Sequence, residues 1–290
     1  LNIFKKNVKY GKINKEVIIL ANDFVHLNVH TEYSLLNNYN PMGKLIEKAK
    51  ELNFKAMAIT DYNNMYGVID FYKKCKKNSI KPIIGCELTL LYPNNEFYNI
   101  ILLAKNNLGY KNLCKLVSNL YVIENRTGEF ITFDELEKYS KNLILIVGSN
   151  RSFIRKCLYK DDIQSAKNEI LNFKSLFNKE DLFLELNFHF EEKDELMINK
   201  YLEFANEVNV KTVVTNDVHY LENTDFNLFN IARCISKGVL LSELKEDNFT
   251  KSEYYLKSEE EMLKIFSSLK DSIYNTKMIA QRCNVEFDFS

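Results

Sequence analysis

The sequence predicts an α/β fold closed into a barrel, on three observations. Short apolar runs alternate with helically spaced segments from about residue 24 onward. Six or more such units follow one another in a single run. Acidic and imidazole side chains stand at or just past the ends of several predicted strands. Strict alternation implies a parallel sheet covered by helices, and this many units favour a closed barrel over an open sheet.

The elements follow in order. Residues 1–23 stand outside the alternation, as an extra hairpin or an upstream tail of open role. Residues 24–29 read as the first strand. Met42, Leu45, Ile46, Ala49 and Leu52 have helical spacing, with Pro41 near the helix start. Residues 56–60 form a strand ending in Asp61, and a helix follows over 68–77. The apolar run 82–87 is a strand ending in Glu87. Residues 98–104 are the next strand, with a helix over about 110–121. Further strands are predicted at 143–147, 182–186 and 212–215, with helices over 162–177 and 194–208. From about residue 225 the signal is mostly helical and polar.

Composition narrows the function. Of 290 residues, 39 are Lys or Arg and 39 are Asp or Glu, so no global basic field of the kind a stand-alone duplex binder shows is present. Six scattered cysteines without a CxxC pair read as reduced, mostly buried thiols in a cytoplasmic protein. No apolar run reaches the ~18 residues that span a membrane. Leu1 and the strand-like ending at Ser290 suggest a segment of a longer polypeptide.

Asp217-Val218-His219 places a carboxylate and an imidazole two residues apart, and in an extended segment both reach one ion. Oxygen-plus-nitrogen ligation suits Zn²⁺, Mn²⁺ or Fe. Asn28-Val29-His30 has the same spacing with an amide in place of one imidazole. Glu87 in an apolar strand is costly unless solvated, paired or metal-bound. His26 reads as a core or hydrogen-bonding residue, and Asp61 as one that orients its neighbours. His189 is open between structural and functional duty. The lysine runs Lys73-Lys74 and Lys76-Lys77 read as solvated faces. Neither a phosphate-binding glycine loop nor a nucleophile triad is present.

Together these segments resemble a known family. Phe24-Val25-His26-Leu27-Asn28-Val29-His30-Thr31-Glu32-Tyr33-Ser34, Ala58-Ile59-Thr60-Asp61-Tyr62-Asn63-Asn64-Met65-Tyr66-Gly67, Lys81-Pro82-Ile83-Ile84-Gly85-Cys86-Glu87, Leu102-Leu103-Ala104-Lys105-Asn106 and Thr215-Asn216-Asp217-Val218-His219-Tyr220-Leu221 are similar to the PHP (polymerase and histidinol phosphatase) domain of bacterial DNA polymerase III alpha subunits. Tyr255-Leu256-Lys257-Ser258 and Arg282-Cys283-Asn284-Val285-Glu286-Phe287-Asp288-Phe289 resemble the run that joins that domain to the polymerase core. The resemblance covers roughly residues 24–290.

It implies a distorted (β/α)7 barrel over 24–225 with a metal-binding mouth, and a helical continuation over 226–290. The retained ligand positions are His30, Glu87, Asp217 and His219. Asn28, Asn37, Tyr62, Asn99 and Ser149 stand where further ligands belong. Four ligands support one divalent ion at most, Zn or Mn, and the expectation is none. Hydrolysis at paired metals ~3.5–4 Å apart would be lost, with the asparagines hydrogen-bonding the remaining acids instead. The Mg²⁺ of polymerisation belongs to a polymerase core outside these residues. The implied partners are the rest of a polymerase alpha chain, a separate proofreading exonuclease, the replicase holoenzyme and, through the full-length protein, DNA, with no membrane. The alternatives are a working metal-dependent phosphoesterase or 3′–5′ exonuclease, and a free-standing phosphatase.

Overall fold

A computed structural model describes residues 24–36, 38–123, 127–244 and 251–290. The reading of residues 1–23 and the position of Asn37 lie outside the described residues. Six strands form one sheet in sequence order: β1 (Ala56–Ile59), β2 (Lys81–Tyr92), β3 (Glu96–Ala104), β4 (Leu143–Val147), β5 (Leu182–Leu186) and β6 (Lys211–Val214). The α-helices are α1 (Met42–Glu51), α2 (Val68–Lys77), α3 (Asn107–Val122), α4 (Phe133–Tyr139), α5 (Phe153–Tyr159), α6 (Ile163–Leu176), α7 (Asp194–Val208), α8 (Phe226–Lys237), α9 (Glu259–Ile265) and α10 (Lys270–Arg282).

The predicted all-parallel sheet is corrected in its middle. β2 pairs β3 antiparallel, and β3 pairs β4 antiparallel, while the other pairs are parallel. The cause is local. β2 runs on past Glu87 to Tyr92, and a short 3-10 turn at Pro93–Asn95 sends the chain straight back. With no helix between the two strands, they can only form a hairpin.

The first predicted strand is extended without a regular ladder. Ala58 N donates to His26 O at 2.9 Å and Thr60 N to Val29 O at 2.9 Å on one side. On the other, His30 N donates to Val218 O at 2.9 Å and Val218 N to Asn28 O at 3.1 Å. Residues 24–30 therefore stand between β1 and the chain just past β6, as a seventh wall that draws the curled sheet towards a distorted barrel. Val25 and Leu27 belong to the inner apolar cluster, whereas Val29 belongs to the outer one and Asn28 reaches Glu185 inside. That switch of face between Leu27 and Asn28 is why pairing is irregular here.

Alternate residues of every strand fill the bore: Ala58, Ile83, Ile101, Ile144, Phe183 and Val213 among them. Ile279, Ala280 and Cys283 of the α10 region join the same cluster and stop the bore at its lower end. The larger cluster lies between the strands and the surrounding helices. In α1, Met42, Leu45, Ile46 and Ala49 are its buried face. Asn106 caps α3 by accepting from Leu108 N and Gly109 N, and Thr132 with Glu135 forms a capping box on α4.

Candidate metal centre

Above the apolar layer the bore turns polar. The same inward parity that places Ile83, Phe183 and Val213 below places Glu87, Glu185 and Thr215 above. His30, Glu87, Asp217 and His219 meet there, from three separate stretches of sequence. His30 Nε2 lies 3.1 Å from Glu87 Oε2 and 3.4 Å from Asp217 Oδ1, and His219 Nε2 lies 3.1 Å from Asp217 Oδ1. One ligand atom from each of His30, Asp217 and His219 lies within 4.8 Å of the others, and all three residues are buried.

Two expectations about these residues need correction. Glu87 does not end its strand but sits inside β2, paired opposite Ile101. Asp217 is not extended: its φ is +49°, in the left-handed region. Aspartate tolerates that conformation better than most residues. The twist aims its carboxylate between the two imidazoles, so strand alternation is not what brings Asp217 and His219 together.

Electrostatics distinguish the members. Burial alone would neutralise His30, but Asp217 and Glu87 outweigh it and raise its pKa to about 9. Burial opposes ionisation of Asp217, yet His219 and His30 hold its carboxyl well below the usual range. His219 is lowered, chiefly by burial. Its Nδ1 faces Asn38 Oδ1 and must donate to it, which turns Nε2 towards Asp217. His30 Nε2, Glu87 Oε2 and Asp217 Oδ1 are buried and make no contact of hydrogen-bond geometry. Imidazole and carboxylate atoms so directed fit one ion of the Zn or Mn type.

The other positions offer little to a second ion. Asn99 Nδ2 donates to Glu87 Oε1 at 2.7 Å, and Asn28 Nδ2 donates to Glu185 Oε1 at 3.2 Å. Both amides thus turn N–H groups towards the acids. Tyr62 stacks on His30 with ring centroids 4.0 Å apart, and Arg151 lies over its other side at 5.1 Å. Burial pushes the Tyr62 phenol well above its usual pKa, so it is no anionic donor. Ser149 is buried with its hydroxyl unpartnered.

Glu185 is the member the sequence reading missed. It is buried in β5, where Oε1 accepts from Asn28 and from Thr215 Oγ1. Burial raises its pKa to about 8. Thr60 Oγ1 continues the network by donating to Asn28 Oδ1 at 3.3 Å. The signal was available, because Glu185 interrupts an apolar strand just as Glu87 does.

The remaining candidates stand outside. His26 is a core residue whose Nε2 bonds Lys257 O at 2.8 Å. Asp61 accepts from Thr31 N at 2.6 Å and Thr31 Oγ1 at 2.7 Å, and so fixes the turn after His30. His189 is structural: its Nε2 lies 3.0 Å from Asn216 O and its ring stacks on Tyr254 at 3.8 Å.

A barrel with imidazole and carboxylate side chains at its mouth defines a class, and the chain belongs to it: the PHP domain family matches residues 26–189, more than half of the sequence. Two relatives described as DNA polymerase III subunit alpha are similar over nearly the whole chain. The protein from Borreliella burgdorferi is 36% identical over 271 residues, covering 90% of this chain and 24% of that protein. The protein from Treponema pallidum is 33% identical over 273 residues, covering 90% and 23%. The chain thus spans about a quarter of the length of the curated relatives it matches. An amidohydrolase from Chromobacterium violaceum shares the fold, with a TM-score of 0.51 over 69% of this chain and 88% of that one at 11% identity.

Proposed function

We propose that the chain is the N-terminal PHP segment of a bacterial replicative DNA polymerase III alpha subunit and is not itself catalytic. Residues 24–225 are its barrel and 226–290 the helical continuation towards the polymerase core. The full-length protein carries out DNA-templated synthesis in the cytoplasm with Mg²⁺ held elsewhere in its chain. The segment stabilises that polymerase and docks a proofreading exonuclease. No helix among the described residues is long and apolar enough to cross a membrane.

The observation that carries the loss of hydrolysis is the orientation of the two amides. With Asn28 and Asn99 donating to Glu185 and Glu87, these positions act as hydrogen-bond donors where a metal pair needs lone pairs. One ion fits His30, Asp217 and His219, with Glu87 beside His30, and it would supply a single Lewis-acid charge. Two measurements test the reading. Metal analysis of the purified chain is expected to give at most one Mn or Zn per molecule, with no hydrolysis of a nitrophenyl phosphate ester. Two or more ions, with hydrolysis abolished by His219→Ala, would establish the phosphoesterase alternative.

A further inference from the structure

The lysines that read as solvated faces in the sequence are gathered by the fold onto one end of the barrel. Lys55 directly precedes β1 and Lys81 opens β2, and Lys81 N donates to Lys55 O at 2.8 Å. Ile80 N donates to Cys75 O at 2.9 Å, which folds the last turn of α2 back beside Lys81 and brings Lys76 and Lys77 with it. Lys50 lies in the last turn of α1, just before its final residue Glu51, and α1 packs against α2. Lys73 lies one turn earlier in α2, with its Nζ 4.4 Å from the centre of the Phe289 ring. This is the end where β1 and β2 begin, away from the candidate metal centre.

Two features set this face apart. None of Lys50, Lys55, Lys73, Lys76, Lys77 and Lys81 has a carboxylate within ion-pair distance among the described residues, and Lys81 is instead tied to the neutral Asn284 Oδ1 at 2.8 Å. Lys81 is lowered in pKa by partial burial, with the Lys76 charge adding to that. Three cations elsewhere at the same end are neutralised. Lys105 and Arg282 share Asp181, and Lys211 pairs with Glu180. Capping of helix C-termini explains Lys50, Lys76 and Lys77 singly, but not a carboxylate-free set drawn from two helices and two strand entrances.

We propose that this lysine face binds the sugar-phosphate backbone of duplex nucleic acid. Point charges spread across a surface suit a long polyanion rather than one small anion, and lysines without arginine forks give contact independent of sequence. Among the described residues, Phe289 and Ile69 are the exposed large apolar side chains on or beside these lysines, too little apolar area for a membrane surface. The inference rests on the lysine arrangement and not on the function proposed above.

The test is fluorescence anisotropy of the complete chain with a labelled duplex of about 25 base pairs, from 50 to 200 mM KCl. If all six lysines engage phosphates, log affinity falls against log salt with a slope of about −5. The triple variant Lys55→Gln, Lys76→Gln, Lys77→Gln should reduce that slope by about 3. Lys167→Gln with Lys211→Gln, which removes lysines paired to Glu207 and Glu180, should leave it unchanged. Duplex should also protect Lys55, Lys76 and Lys77 of the unaltered chain from acetylation, a readout that does not depend on how the variants fold. The proposal is overturned by absence of binding at 50 mM KCl, by equal slopes in the two variants, by unprotected lysines, or by binding to phosphatidylglycerol vesicles without binding to the duplex.

Discussion

Asp217→Asn isolates the charge that holds the centre together. Asparagine keeps the shape and tolerates the left-handed φ of +49°, so the substitution removes charge and little else. The His30 pKa of about 9 lies some 2.5 units above its ordinary value, and at ~1.4 kcal/mol per unit this is ~3 kcal/mol of net stabilisation left after the burial penalty is offset. Asp217 is the leading contributor and Glu87 the other, so its share is ~2 kcal/mol. The group is fully buried, and solvent screening takes little from that figure. The sign follows from the raised pKa. His30 contributes fully below its unfolded value of about 6.5, and the contribution is lost as pH rises through about 9. Urea unfolding in EDTA at pH 7 should show Asp217→Asn less stable by ~2 kcal/mol, or about 5 °C in Tm. At pH 10 the difference should be nearly gone. An undiminished difference at pH 10 would refute the ion pair. So would a fall in the unaltered chain's Tm on adding EDTA as large as that caused by the substitution, since a bound metal would then be the stabilising agent.

Three further outcomes are expected. His26 is buried with its pKa lowered to about 4, so the unfolded chain takes up its proton first. Stability should fall by up to ~3 kcal/mol between pH 6.5 and 4 on its account, and His26→Gln should flatten that part of a urea-denaturation pH profile. Glu185 behaves oppositely. Its pKa of about 8 lies above the unfolded value of about 4.5, so its contribution is lost as pH rises from 4.5 through 8. Glu185→Gln keeps the acceptor for Asn28 and Thr215. It should match the parent near pH 4.5 and exceed it at pH 8.5 by a ceiling of ~5 kcal/mol; equal losses at both pH values would contradict the assignment. A Cβ at Gly109 would stand 2.1 Å from the Asn142 carbonyl oxygen. Gly109→Ala should therefore cost ~3 kcal/mol in chemical denaturation, through forced separation of α3 from the 140–142 turn.

Much of this architecture was legible because periodicity is a local signal. α2, β4, β5 and α7 fall on 68–77, 143–147, 182–186 and 194–208, as their apolar spacing requires. The β2–β3 hairpin was misread because Glu87 looked like the end of a strand, although Pro93-Asn94-Asn95 is a turn signal in its own right. α4 and α5 are two turns each, too short for their spacing to stand out. At the centre, His30, Glu87, Asp217 and His219 were given as one set by the family resemblance, although Glu87 lies inside β2 and not at a strand end. The bond from Asn99 to Glu87 was expected, but the backbone twist at Asp217, the choice of Glu185 as the partner of Asn28 and the stacking of Tyr62 on His30 are properties of three-dimensional neighbours, which no spacing rule encodes.

The closure of the lower end by Ile279, Ala280 and Cys283 makes the interior a test tube rather than a pipe. Glu185 then has an apolar plug on one side, and removing the Tyr62 ring, which stacks on His30, should quicken proton exchange at that acid.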